Sequence, residues 1–222
     1  MIGKRFVVTG AGRGIGAGVA GLLRERGAAV VTADVNPAGV DVACDVSDEA
    51  SVAALFAHAG EIHGLVNCAA LLVARQPSSD LTVEEWDRMF AVNVRGTFLC
   101  CRAAADRMAG RGGSIVNVAS ETAFTGSHGF AHYVASKGAV VSLTRALANE
   151  YGPSNVRVNC VAPGFTPTPG SAALGAYDPT RTPLGRVMQP SDLYGTFAYL
   201  LSDDSAFVSG QVVLVNGGRV PH

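Results

Sequence analysis

The sequence predicts an α/β fold built on a doubly wound parallel sheet of about seven strands. Three observations carry this. Apolar runs recur along the chain and are mostly continuous rather than alternating, as in strands buried on both faces. Segments with helical periodicity lie between most of them. The first strand and helix are joined by a glycine-rich turn, Thr9-Gly-Ala-Gly-Arg-Gly-Ile-Gly16.

The elements follow in order. Phe6–Thr9 reads as the first strand, and Ile15–Arg26 as the helix after the turn. Glycines there let the backbone turn sharply and bring N–H groups close to a bound pyrophosphate, toward which the helix directs its positive end. Ala29–Val35 is the second strand, and Asp34 at its end has the position expected of an acid that binds a ribose. Val40–Val46 is the third. Only Asn36-Pro-Ala-Gly39 precedes it, too little for the dozen or more residues of a parallel crossover. A helix is therefore expected to be missing, with part of Val40–Val46 serving as connection. The later strands are Gly64–Asn67, Ser114–Ser120, Val156–Ala162 and Gln211–Asn216. The later helices are Glu49–Gly60, Val83–Met108, Ala131–Tyr151 and Ser191–Leu201. Pro163–Gly185, rich in Pro, Gly, Thr and Ala, reads as a long loop.

With 222 residues and 48% apolar side chains the chain can bury a large core, and no linker-like stretch divides it, so one domain over residues 1–222 is expected. The formal charge of −1, with scattered Lys and Arg, shows neither a nucleic-acid stripe nor a basic membrane face. Small molecules and sister subunits are the expected partners. No signal-peptide pattern or membrane-length apolar run is present, so a cytoplasmic protein is expected. Five cysteines, Cys44, Cys68, Cys100, Cys101 and Cys160, lack metal spacing and read as reduced core thiols. No metal site is expected.

The chemistry centres on Tyr133-Val-Ala-Ser-Lys137, where a spacing of four puts phenol and ammonium one helical turn apart. A tyrosine's reference pKa is about 10, and a nearby cation lowers it, making the oxygen usable as acid or base nearer neutrality. An exposed helix face is the alternative for such a pair taken alone. Ser120 closes the strand Ser114–Ser120 at the carboxyl edge, where open α/β sheets bind ligands. Its hydroxyl can hold a substrate oxygen there.

At these residues the sequence resembles the short-chain dehydrogenase/reductase family, over nearly the whole chain. Thr9-Gly10-x-x-x-Gly14-Ile15-Gly16 resembles its cofactor turn, with Arg13 inside it. Asn67-Cys68-Ala69-Ala70 resembles its Asn-Asn-Ala-Gly segment, altered at two positions. Asn93, Ser120, Tyr133 and Lys137 match its catalytic tetrad. The resemblance implies that Tyr133 exchanges the proton with the alcohol or carbonyl oxygen, Ser120 bonds that oxygen, Lys137 holds the nicotinamide ribose while lowering the Tyr133 pKa, and Asn93 holds a relay water. It also implies a carboxamide site at Pro163, Gly164, Phe165 and Thr168, for which a plain loop hydroxyl is the alternative at Thr168. Asp45-Val46 resembles the pair at the adenine, although an aspartate there could equally cap the helix near Asp48. Family members pair two long helices into symmetric tetramers, here Val83–Met108 and Ala131–Tyr151, so a homotetramer or homodimer is expected.

Asp34 and Arg13 argue over the cofactor, the acid suiting NAD and the base a 2′-phosphate. A carboxylate about 4 Å from a phosphate charge meets a repulsion on the order of 4 kcal/mol at an effective dielectric near 20, whereas Arg13 can swing into solvent. NAD is expected. The function expected is interconversion of a neutral, largely apolar secondary alcohol and its ketone, because Leu71, Leu72, Val73, Phe124 and Phe130 supply apolar walls, with Arg75 and Arg181 the only nearby cations by sequence. Alternatives are an NADPH-linked 3-oxoacyl thioester reductase and a non-catalytic NAD(H)-sensing protein. Enoyl reductases of the family space their tyrosine and lysine more widely. His58, His63, His128, His132 and His222 are expected to be exposed, and Glu121 lies in the segment leading to Tyr133.

Overall fold

The computed structural model describes residues 1–174 and 177–220; Gly175 of the expected long loop and His222 lie outside them. The sheet has seven parallel strands in the order β3-β2-β1-β4-β5-β6-β7. In chain order these are β1 (Arg5–Thr9), β2 (Ala29–Asp34), β3 (Val42–Ala43), β4 (Gly64–Asn67), β5 (Gly113–Val118), β6 (Val156–Pro163) and β7 (Val212–Val215). Their helices are α1 (Gly14–Glu25), α2 (Glu49–Ala59), α3 (Val83–Phe90), α4 (Thr97–Met108), α5 (Thr122–Thr125), α6 (Ala131–Tyr151) and α7 (Ser191–Leu201).

Helices cover both faces, as the continuous apolar strands require. Val19 and Leu23 of α1 pack with Leu193, Phe197 and Leu200 of α7 on one face. On the other, Val52 and Phe56 of α2 meet Leu99, Cys101 and Met108 of α4. All five cysteines are free thiols, and burial raises those of Cys44, Cys68, Cys100, Cys101 and Cys160. Among the described residues no helix is long and apolar enough to cross a membrane.

The third strand is short, Val42–Ala43, and as expected the residues before it serve as connection. Asp41 replaces part of it: its Oδ2 accepts bonds from Thr32 N at 2.8 Å and from Thr32 Oγ1 at 2.6 Å. A side chain thus does for β2 what a neighbouring backbone would. The expected helix Val83–Met108 is interrupted by a wide π turn, Ala91–Gly96. Thr82 and Glu85 form a capping box at its start, and the wide turn brings Gly96 so near Val46 that a Cβ would lie 2.7 Å from Val46 Cγ2.

β1 lies between β2 and β4, so connections leave it in opposite directions and open a crevice at the carboxyl ends of the strands. The candidate site occupies that crevice.

Candidate active site

A cleft of about 680 Å³ runs along this crevice. Of the residues singled out from sequence, Gly10, Arg13, Gly14, Ile15, Gly16, Asp34, Asp45, Val46, Ala69, Ser120, Tyr133, Lys137, Pro163, Gly164, Phe165 and Thr168 all line it. Asn67 and Asn93 do not. Asn67 turns into the sheet, where its Nδ2 donates to Asn117 Oδ1 at 2.9 Å. Its neighbours Cys68 and Ala69 line the cleft.

The glycine turn is built by close approach. A Cβ on Gly16 would stand 2.3 Å from Gly10 O, and one on Gly10 2.6 Å from Ala69 N. Gly10 and Gly14 also have positive φ, 64° and 61°. Arg13 is the N-cap of α1 but makes no side-chain bond to it, and the first turn has no acid. The helix's first N–H groups therefore face the cleft without a side-chain acceptor, a cradle suited to a pyrophosphate. Thr168 packs over this turn, its Cβ 3.4 Å from where Gly14 would carry one.

Asp34 ends β2 beside that cradle. Its Oδ2 accepts from Gly12 N at 3.0 Å and its Oδ1 from Asn36 N at 3.0 Å, so both oxygens are held in place. Asp45 is exposed and accepts from Ser47 N and Ser47 Oγ. The cap of α2 is Asp48, which accepts from Ala50 N and Ser51 N, so the capping alternative for Asp45 falls.

Ser120, Tyr133 and Lys137 converge at the other end. Lys137 is 3% exposed, and its Nζ donates to Val118 O at 2.8 Å and lies 5.7 Å from the Tyr133 ring centre. Burial pushes Lys137 down to about 8 and Tyr133 up to about 12, with a Ser120 hydrogen bond opposing the latter. In the chain by itself desolvation therefore sets the direction of the Tyr133 shift, with the Ser120 hydrogen bond working against it. Asn93 sits in the wide turn. Its Oδ1 accepts from Leu71 N at 2.7 Å, and its Nδ2 donates to Ser136 Oγ at 3.0 Å.

Arg219 and Tyr177, also at the cleft, have no place in the sequence pattern. Glu121 is 2% exposed and pairs with Arg219 at 2.5 Å, although the two are 98 positions apart. Its Oε2 is buried without a partner among the described residues, and burial raises its pKa. The Arg219 guanidinium stands 5.5 Å from the Tyr177 ring, which stacks on Phe165 at 5.0 Å. Arg75, expected as a free cation, is engaged: it donates to Ser127 Oγ at 2.5 Å and His128 O at 2.9 Å, and lies 4.6 Å from the Phe130 ring centre. Phe130 in turn tilts against Tyr133 at 5.0 Å. Arg181 lines the cleft, is exposed, and forms no ion pair among the described residues.

Two of the histidines differ from expectation. His132 is 2% exposed, and burial lowers its pKa. His63 is half-buried and accepts from Arg5 N at 3.0 Å. His58 and His128 are exposed. None of these four lines the cleft. Among the described residues no group of His, Cys, Asp and Glu could hold a metal ion.

Known proteins resemble this chain over its length. A family model described as enoyl-(acyl carrier protein) reductase matches residues 10–219. The cis-4-hydroxycyclohexanecarboxylate dehydrogenase of Sinomonas cyclohexanicum is 40% identical over 235 residues, 96% of this chain and 94% of that protein. A 3-ketoacyl-(acyl-carrier-protein) reductase from Brucella melitensis, solved with NADH, superposes with a TM-score of 0.92 at 35% identity, covering 98% of both chains. A short-chain type dehydrogenase/reductase from Mycobacterium ulcerans superposes with a TM-score of 0.92 at 32% identity, covering 99% of this chain and 90% of the other.

Proposed function

The chain belongs to the short-chain dehydrogenase/reductase family, and from that premise we propose that it interconverts a neutral, largely apolar secondary alcohol and its ketone, with NAD as cofactor and Tyr133 as acid and base. The family makes it an oxidoreductase of the alcohol dehydrogenase type, with a nicotinamide dinucleotide as the typical cofactor. The observation that carries the finer reading is the convergence of Ser120, Tyr133 and Lys137 on one cleft with the glycine turn.

The bound dinucleotide supplies the hydride acceptor or donor at its nicotinamide C4. Ser120 holds the substrate oxygen. Tyr133 takes the hydroxyl proton during oxidation and returns it to the carbonyl oxygen during reduction. Lys137, fixed by Val118, holds the ribose and lends positive charge to the phenol. We assign the relay water at Asn93 to its main-chain carbonyl, since the side chain already bonds Leu71 and Ser136. We assign Pro163, Gly164, Phe165 and Thr168 to the carboxamide, Asp45 and Val46 to the adenine, and Asp34 to the ribose hydroxyls. Oxidation needs ionised Tyr133, so its rate rises with pH. With Lys137 and the cofactor's positive ring beside the phenol, the midpoint lies below tyrosine's reference of about 10, whereas the chain by itself holds Tyr133 at about 12.

Leu71, Leu72 and Phe130 line the substrate end and favour an apolar ring or chain. Arg219 is already paired with Glu121, and the Arg75 guanidinium is turned to Ser127 and His128, which leaves neither aimed at an ionised substrate. A second reading has one observation behind it: the Sinomonas relative is named for a ring carrying a carboxylate, and Arg181 here is exposed at the cleft. The thioester alternative sits less well with Asp34, since it usually goes with NADPH. The test is NADH formation over matched neutral and carboxylated cyclic alcohols, for the unmutated protein and Tyr133→Phe. Turnover of a neutral alcohol that collapses in Tyr133→Phe supports the reading. A clear preference for the carboxylated member transfers the substrate reading to Arg181, and substantial activity in Tyr133→Phe sinks the mechanism.

A further inference from the structure

A serine hydroxyl carries one proton and two lone pairs. At Ser120 one residue fills both lone pairs. Thr122 N donates to Ser120 Oγ at 3.2 Å, and Thr122 Oγ1 donates to it at 2.9 Å. The local backbone holds this arrangement. Glu121 N donates to Pro163 O at 3.0 Å and Ala123 N to Ser120 O at 3.1 Å, fixing the turn in which α5 begins. With the bonds made among the described residues, the hydrogen-bonding capacity left to Ser120 is its own proton.

We propose that Thr122 is a positioning residue that makes the Ser120 hydroxyl a pure donor, aimed at the substrate oxygen and at the ionised oxygen of Tyr133. The inference rests on the alcohol chemistry proposed above and goes beyond it, because that chemistry requires a hydroxyl at residue 120 and says nothing of residue 122. A serine free to accept could take the Tyr133 proton in a hydrogen bond and stabilise the neutral phenol. Held as a donor, it stabilises only the phenolate and the developing alkoxide. A donor aimed where negative charge appears acts in the transition state more than in the ground state.

Other groups around Tyr133 do not take this role. Lys137 lies on the same helix with its ammonium on Val118 O. Glu121 is turned to Arg219, and Arg75 stands across the Phe130 ring. The Cys68 and Cys160 thiols are buried and raised well above neutrality. Among the described residues none of these donates to Ser120 Oγ.

Thr122→Val keeps the shape and the backbone N–H but removes the hydroxyl, and Thr122→Ser restores it. Two readouts are needed, the pH profile of alcohol oxidation and a phenolate absorbance titration of each variant against the same variant carrying Tyr133→Phe. In Thr122→Val the Tyr133 midpoint is expected to rise by about one pH unit, with kcat near neutrality falling about tenfold, the scale of one hydrogen bond to a charged group. KM for NAD should hold, and Thr122→Ser should return both quantities. An unmoved midpoint in Thr122→Val overturns the proposal, as does a shift that Thr122→Ser leaves in place. If instead the unmutated protein oxidises no alcohol, the functional reading fails, while the phenolate titration still decides the role of Thr122.

Discussion

Replacing Asp34 by Ala tests the cofactor assignment with a magnitude that follows from its geometry. The carboxylate cannot turn away from a 2′-phosphate, because Gly12 N and Asn36 N hold its two oxygens at 3.0 Å each. A phosphate charge about 4 Å away would meet roughly 4 kcal/mol of repulsion at an effective dielectric near 20, which is about three decades in the ratio of catalytic efficiencies. Arg13 is exposed one residue beyond Gly12. As a surface cation it recovers about 1 kcal/mol, leaving a preference for NAD of about a hundredfold. Asp34→Ala removes the repulsion and brings the two cofactors within about tenfold of each other. It also removes the acceptor for Gly12 N, so efficiency with NAD should itself fall about fivefold, the worth of one ordinary hydrogen bond. Initial rates of reduced-cofactor formation, at a saturating alcohol and varied NAD or NADP, give both quantities. Equal or better efficiency with NADP in the unmutated protein would refute the argument, and so would a preference that survives Asp34→Ala.

Two further outcomes are expected. Arg75→Met should raise KM for a neutral alcohol about tenfold and lower stability by about 1–2 kcal/mol in thermal unfolding, since it releases the loop before Tyr133 and the cation over Phe130. A loss confined to anionic substrates would instead make Arg75 a ligand for them. Half-buried apolar side chains on α4 and α6, among them Phe98 and Leu143, suit a helix-paired homotetramer or homodimer, and a strictly monomeric sedimentation profile at micromolar concentration would contradict that.

The sheet was legible because its strands are buried on both faces and the glycine turn has few sterically allowed alternatives. Ser120, Tyr133 and Lys137 were legible for a related reason: each lies at a strand end or on one helix face, where local spacing determines position. The rest depended on contacts that sequence spacing does not encode. Arg219 reaches Glu121 from the other end of the chain, and nothing near either residue announces the pair. Arg75 looked free because its partners Ser127 and His128 are in another loop. Spacing records the cation beside Tyr133 and not the burial that raises the phenol in the chain by itself. The π turn at Ala91–Gly96 has no recognisable sequence signal. Thr122 did have one, a hydroxyl two residues after a candidate catalytic serine, but only the fold shows that it points back.

The substitution of Asp41 for part of an edge strand has a consequence for colloidal behaviour. Exposed strand edges invite other chains to add to a sheet, and growth of that kind begins with an open N–H. Beyond the two residues of β3, the N–H of Thr32 is already bonded to a carboxylate. An incoming strand would have to displace that anion and bring its own carbonyl into the same place. The part of β2 that β3 leaves uncovered is thereby a poor seed for fibrils, and Arg24, which meets the same carboxylate at 3.2 Å, crowds that approach further.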